Sequence, residues 1–105
     1  AYRQTHVSDD EKRNRLRLIV APDSTDGALA INQDAHIYAS VLDAGNSVSH
    51  YLQPGRGAWI QVVDGLIDVN GTTLMAGDGI AIEDEGSIVV AGRKPSEFLL
   101  FDLGV

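Results

Sequence analysis

Short apolar runs alternate with glycine-containing turns over residues 59–83, and the rest of the chain extends this pattern. The dipeptides at 64–65 (Asp-Gly) and 70–71 (Asn-Gly) tolerate the positive φ angles of two-residue hairpin turns. A third break follows at 76–79 (Ala-Gly-Asp-Gly). The pattern predicts a meander of four short antiparallel strands, with positive φ at both dipeptides.

Alternation of apolar and polar positions predicts further strands on both sides of this stretch. Ser8 and Glu11 have the spacing of a capping box, which predicts a single helical turn, and no longer helix is expected. The additional strands are expected at 16–20, 28–31, 35–42, 48–52, 87–91 and 97–103. The chain is therefore predicted to be all-β.

The strand at 35–42 has two faces of different character, because successive side chains point to opposite sides. The apolar set is expected to point into the core and consists of Ile37, Ala39 and Val41. The polar set is expected on the other face and consists of His36, Tyr38 and Ser40.

Composition and charge exclude several classes of function. A length of 105 residues suits one domain, and the absence of cysteine excludes disulfides, thiolate metal sites and a cysteine nucleophile. The formal charge of −7 opposes nucleic-acid binding. No apolar run is long enough to cross a membrane, so we expect no membrane partner. The absence of cysteine makes a reducing cytoplasm the expected location.

A local basic segment contrasts with the acidic chain. Arg13, Arg15 and Arg17 are expected on one face of an extended segment. They are either a solvated strand edge that discourages edge-to-edge pairing or a docking stripe for an acidic neighbour.

The run GRGAWIQVVDGLIDVNG, followed by AGDGIAI and by LLFDL near the end, resembles the C-terminal cupin half of bacterial pirin-like proteins, the family that includes quercetin 2,3-dioxygenases. The opening EKRNRLRLIVAPDSTDGALAINQDAHIYASVL matches the same half. The resemblance implies a cupin-type double-sheet β-barrel or jelly roll over residues 13–105, preceded by a connector at 1–12.

The resemblance also implies where metal ligands would stand. With Gly65 closing the first cupin motif, the glutamate position is Ala58 and the histidine pair falls within 51–54; the third histidine falls near Ile88. None of these residues is a good ligand, so we expect a metal-free domain without a cofactor. In pirin-like proteins the metal belongs to the N-terminal half, so this chain alone is not expected to be the dioxygenase.

The three histidines, His6, His36 and His50, do not have metal-ligand spacing, although His36 and His50 are candidates to approach each other as strand neighbours. No serine, carboxylate or glycine-rich motif forms a recognisable catalytic constellation. A polar pocket in the barrel remains a candidate, and its residues are His36, Tyr38, His50 and Arg56.

Apolar residues occupy both faces of the strands around 59–63, 88–90 and 98–101, which indicates cover on both sides. Ile60 and Val62 are expected to face inward, and the outward set is Trp59, Gln61 and Val63. Trp59 is either an interface anchor or a ring lying flat under a loop of its own domain.

Two functions are therefore open. The first is a structural or interaction module that binds a metal-bearing N-terminal cupin domain or a second copy in a homodimer. The second is metal-independent binding or catalysis of a small molecule in the pocket.

Overall fold

The computed structural model describes residues 2–4, 7–22 and 34–104, so the strand expected at 28–31 lies outside the described residues. Ten strands and one helix are present within them. In chain order they are β1 Tyr2–Gln4, α1 Asp9–Lys12, β2 Arg17–Pro22, β3 Ala35–Leu42, β4 Ser47–Tyr51, β5 Arg56–Asp64, β6 Leu66–Val69, β7 Thr72–Met75, β8 Gly79–Glu83, β9 Ser87–Gly92 and β10 Ser96–Gly104. The all-β prediction is confirmed, and among the described residues no helix is long and apolar enough to span a bilayer.

The strands form two antiparallel sheets that enclose one core. The first sheet has the order β1-β2-β3-β10-β5-β8, and the second has the order β4-β9-β6-β7. The largest fully buried side chains come from both sheets, and they are Phe98, Leu42, Ile60, Ile67, Ile88, Leu100, Val62, Val69 and Val90. Burial of these side chains between the sheets is the main source of stability.

The central stretch contains the four predicted strands, but only one of the two predicted hairpins. Asn70 and Gly71 have φ angles of 45° and 90° and join β6 to β7 in an antiparallel pair. The expected hairpin at 64–65 is wrong, because β5 and β6 belong to different sheets. Gly65, with φ 91°, is the corner where the chain crosses between the sheets, and β5 pairs instead with β8 and β10.

The expected core face of β3 is also wrong. Ser40 and Leu42 are fully buried, and Tyr38 packs against the core. The reason is the register with β10, which pairs Ser40 with Phe98 and Tyr38 with Leu100, the inward-facing residues of that strand. The apolar set with Ile37, Ala39 and Val41 therefore lies on the outer face of the first sheet, where Ala39 is buried and Ile37 and Val41 are partly buried.

The N-terminal segment is packed onto the first sheet. The backbone N–H of Ser8 faces Glu11 Oε1 at 3.4 Å, the capping-box contact that the sequence predicts. Residues 2–4 of the expected connector form β1 and pair with β2. The expected extended run of three arginines is broken, because Asn14 has φ 56° and β2 begins only at Arg17.

Candidate functional site

One end of the sandwich opens into a polar cavity, which we call the mouth cavity. Its volume is about 560 Å³, within the range of small-molecule sites. It is lined by Asp34, His36, Tyr38, His50, Tyr51, Gln53, Pro54, Arg56 and Asp102. The structure thus brings together the four residues of the candidate pocket, His36, Tyr38, His50 and Arg56.

Strand register explains why these residues meet. His36 and Tyr38 lie on the inward face at the start of β3, and His36 pairs with Asp102 of β10. Arg56 begins β5 on the other side of β10. His50 lies on β4 of the second sheet, so His36 and His50 are not strand neighbours, as the sequence suggested, but belong to opposite sheets.

The innermost contact of the mouth cavity joins Asp102 to His50. Asp102 Oδ2 lies 2.7 Å from His50 Nε2, and the two side chains are only 9% and 14% exposed. The Tyr38 ring packs against the His50 ring with their centroids 4.9 Å apart. A carboxylate as buried as Asp102 is costly unless partners compensate it. Among the described residues, the histidine is one of two side-chain partners of Asp102.

The other partner of Asp102 is Arg56, which connects it to Asp34. Arg56 Nε donates to Asp102 Oδ1 at 2.5 Å, and Arg56 Nη1 donates to Asp34 Oδ2 at 2.5 Å. These hydrogen bonds, chiefly the one to Asp34, raise the pKa of Arg56. The hydrogen bond from Arg56 in turn lowers the pKa of Asp34 below its usual value. The guanidinium is thus committed to two carboxylates.

Tyr38 and His36 are two more polar groups of the cavity wall. Burial raises the pKa of Tyr38, and the negative charge of Asp102 adds to this effect, so its phenol stays protonated at neutral pH. His36 lies at the rim, where its Nδ1 is 3.7 Å from Asp34 Oδ1. The cavity wall therefore carries the rings of Tyr38 and His36 beside a network of paired charged and polar groups. We call it the charge network, and its members are Asp34, Arg56, Asp102 and His50.

Sequence reasoning missed Asp34 and Asp102. Asp34 stands in the polar break between the strands expected at 28–31 and 35–42, and nothing in the sequence distinguishes it. Asp102, however, shares its alternation with Phe98 and Leu100, the buried residues of β10. A carboxylate on the inward face of an apolar strand was a signal that could have identified it.

The cavity does not fit the metal that the resemblance associates with the fold. Ala58 and Ile88 stand at two of the ligand positions and are buried apolar side chains. His50 offers at most one nitrogen to a metal, because the other is paired with Asp102. Within residues 2–4, 7–22 and 34–104, no group of three His, Cys, Asp or Glu side chains is placed to hold a metal ion.

The outward residues of β5 form a second feature of interest. Trp59 is 40% exposed and Val63 is 50% exposed, whereas Ile60 and Val62 are buried. Trp59 Nε1 donates to Gln61 Oε1 at 3.2 Å, and Gln61 Nε2 donates to the carbonyl oxygen of Gly77 at 3.2 Å. These hydrogen bonds fix the indole on the surface of the first sheet.

The Trp59 ring is the most exposed aromatic member of an apolar row on the first sheet, which we call the outer row. Strand register places its members opposite one another across five strands. In order from β8 to β2 they are Ala81, Trp59, Phe101, Ile37 and Val20. Cross-strand neighbours of this kind are close enough to interact. Trp59 and Ala81 are exposed, and Phe101, Ile37 and Val20 are partly buried.

The three arginines of the basic segment are exposed at the side of the first sheet. Arg13 Nη1 lies 3.1 Å from Asp43 Oδ1, and Arg17 Nη2 lies 3.8 Å from Glu11 Oε2. Arg15 lies in the turn before β2. Arg13 and Arg17 therefore have acidic partners within the chain. The other candidate interface residues, Trp59, Gln61 and Val63, lie apart from these arginines in sequence, on β5.

Residues 18–103 match the family described as the quercetinase C-terminal cupin domain. The chain is 39% identical over 87 residues to quercetin 2,3-dioxygenase of Escherichia coli K12, covering 83% of the chain and 38% of that protein. It is 36% identical over 94 residues to a putative quercetin 2,3-dioxygenase of Pseudomonas aeruginosa, covering 89% of the chain and 40% of that protein. The chain thus spans less than half the length of these relatives.

Solved structures give the same result. The nickel(II) complex of a bacterial pirin from Escherichia coli superposes with a TM-score of 0.74 at 38% identity, over 85% of the chain and 39% of that protein. An RmlC-like cupin from Desulfovibrio desulfuricans superposes with a TM-score of 0.64 at 15% identity, over 93% of the chain and 89% of that protein, which confirms the cupin fold. The chain belongs to the quercetinase C-terminal cupin domain family.

Proposed function

We propose that the chain is a metal-free interaction module that docks onto another cupin domain through the outer row. The observation that carries this proposal is the outer row itself, five apolar residues opposite one another on the face turned away from the core. Soluble proteins seldom leave large contiguous apolar patches in water. A partner domain that covers the row removes this surface from solvent.

The hydrogen bond between Trp59 and Gln61 supports the proposal. An indole that is already fixed by Gln61 loses little conformational freedom on binding, and rigid aromatic residues are frequent anchors of interfaces. Because the matched relatives are more than twice as long as the aligned region, the metal-bearing half of a longer pirin-like protein is one partner. A second copy of the chain is the other.

The experiment is sedimentation of the isolated chain over a range of concentrations. We expect a monomer–dimer equilibrium that Trp59→Ala weakens by about ten-fold or more, as for an interface anchor. Met75→Ala is the matched control, because Met75 is 60% exposed on the second sheet and lies outside the outer row. Equal weakening by both variants would contradict docking through the outer row.

Two further measurements separate the partners and test the metal. A chain that stays monomeric, yet changes its Trp59 fluorescence when the N-terminal portion of a pirin-like relative is added, identifies that portion as the partner. A monomer whose fluorescence does not respond contradicts the module. Elemental analysis should find no transition metal near one per chain, because Ala58 and Ile88 stand at ligand positions.

The mouth cavity favours a second candidate function, metal-independent binding or catalysis of a small molecule. Four polar rings or cations converge there, and the volume suits a small ligand. Binding would appear as saturable shifts of the NMR signals of the cavity residues. The two functions are compatible, because the mouth cavity and the outer row involve different faces of the first sheet.

A further inference from the structure

The charge network of the mouth cavity determines which ring nitrogen of neutral His50 carries the hydrogen. Asp102 forms an ion pair with Arg56, whose Nε donates a hydrogen bond to Oδ1 of the carboxylate. The ring nitrogen facing the other oxygen of Asp102 at 2.7 Å must carry a hydrogen, because a bare nitrogen would repel that oxygen. Neutral His50 is thus the Nε2–H tautomer, and its Nδ1 has a free lone pair.

That lone pair has no partner within the described part of the chain. The hydrogen bond with Asp102 is the one contact of this kind that the His50 ring makes to a described residue. His50 also lines the mouth cavity, and Tyr38 holds the ring from one side. A ligand with an N–H or O–H group can therefore supply the hydrogen-bond donor that Nδ1 lacks.

The charges of the wall select against anions. Arg56 compensates only one of the two carboxylates that it contacts, so the network keeps one net negative charge while the histidines are neutral. The whole chain carries a formal net charge of −7. The remaining lining is largely flat or ring-shaped, with Tyr38, Tyr51 and Pro54 in the wall. An uncharged planar molecule fits these conditions better than an anion does.

We propose that the mouth cavity binds an uncharged planar molecule through an N–H or O–H group that donates a hydrogen bond to His50 Nδ1. This inference rests on the second candidate function and names its ligand class. Asp102 is a positioning residue, because it acts through His50.

The first test determines the tautomer of His50 directly. Long-range ¹H–¹⁵N spectra at about pH 8, above the usual pKa of histidine, report which ring nitrogen carries the hydrogen. We expect the Nε2–H tautomer for His50. In Asp102→Asn, which leaves an amide able to donate or accept, the two tautomers should mix. Asp68→Asn is the matched control, because Asp68 is also paired with an arginine, Arg93, but lies outside the mouth cavity. A pure Nδ1–H tautomer in the unmodified chain overturns the proposal.

The second test uses imidazole and acetate as probes at the same pH. Imidazole is mostly uncharged there and has an N–H donor, whereas acetate is an anion. We expect imidazole to shift the NMR signals of cavity residues in a saturable way and to bind more tightly than acetate. His50→Gln should weaken imidazole binding by about five-fold, as for one lost hydrogen bond, and Asp68→Asn should not change it.

The outcomes separate the inference from the function on which it rests. If neither probe shifts the cavity residues, the small-molecule function fails and the inference fails with it. If imidazole binds but His50→Gln leaves its affinity unchanged, or if acetate binds more tightly, the inference alone fails. Tighter imidazole binding that depends on His50, together with the Nε2–H tautomer, supports it.

Discussion

Replacing Gly65 by alanine should destabilise the fold much more than replacing Gly71 by alanine, although the two glycines have almost the same backbone conformation. Their φ angles are 91° and 90°. Alanine is strained at such angles by about 1–3 kcal/mol, and both variants carry this cost. The comparison therefore isolates the effect of the surroundings.

The surroundings differ sharply. A Cβ at Gly71 would meet no atom within 4 Å. A Cβ at Gly65 would overlap the carbonyl oxygen of Pro95 and would lie 2.6 Å from Cα of Ser96. Both are backbone atoms, so the segment at 95–96 must move, and overpacking of this kind costs about 1–3 kcal/mol or more. We expect Gly65→Ala to lose this amount in addition to the loss in Gly71→Ala.

Urea denaturation measures the difference. With a slope of about 1–2 kcal/mol per molar for a domain of this size, the midpoint of Gly65→Ala should lie about 1 M below that of Gly71→Ala. Ser96→Ala should not rescue Gly65→Ala, because it removes the hydroxyl but leaves both backbone contacts. Equal midpoints for the two glycine variants would show that the chain does not cross between the sheets against residues 95–96.

Three further predictions concern single side chains. Ser40→Ala should raise the free energy of unfolding by about 1 kcal/mol, because the buried Ser40 hydroxyl has no hydrogen-bond partner among the described residues; a loss of stability would contradict this. Because Arg56 lowers the pKa of Asp34, their contact stabilises the fold fully at pH values above 3.8, the usual pKa of this carboxyl. This stabilisation is lost as the pH falls through the lowered pKa. In Arg56→Gln the pKa of Asp34 should return toward 3.8 in a ¹³C carboxyl titration, and an unchanged value would refute the contact. Gly79→Ala should displace the Trp59 ring, because the new Cβ would overlap its Cζ2, and an unshifted emission maximum of this single tryptophan would refute that packing.

The sequence predicted the strands well but their pairing only in part. The bounds of β3 at Ala35–Leu42 were predicted from alternation, and the hairpin at 70–71 was predicted from its turn residues. At 64–65 the same kind of signal was misleading, because a glycine with positive φ serves a hairpin and a crossing between sheets equally well. Which strands pair depends on contacts distant in sequence, such as β5 with β10.

The face of β3 shows the same limit. The strand carries apolar residues on both sides, so alternation alone did not decide which side is inside. Its register with β10 decides it, and that register puts Tyr38 and Ser40 inward. For the same reason the candidate pocket residues were proposed from their polar character alone, while Asp102 went unnoticed within an apolar strand.

The charge network of the mouth cavity has a consequence for folding. Its members are separated by up to 68 positions, from Asp34 to Asp102, and come from both sheets. No pair of neighbouring strands contains all of its members. The network therefore forms only after core packing has offset the entropic cost of closing long loops. The contact between the Tyr38 and His50 rings joins the two sheets directly. Its ring-current shift is therefore a natural probe that distinguishes the fully assembled sandwich from any state in which one sheet has formed alone.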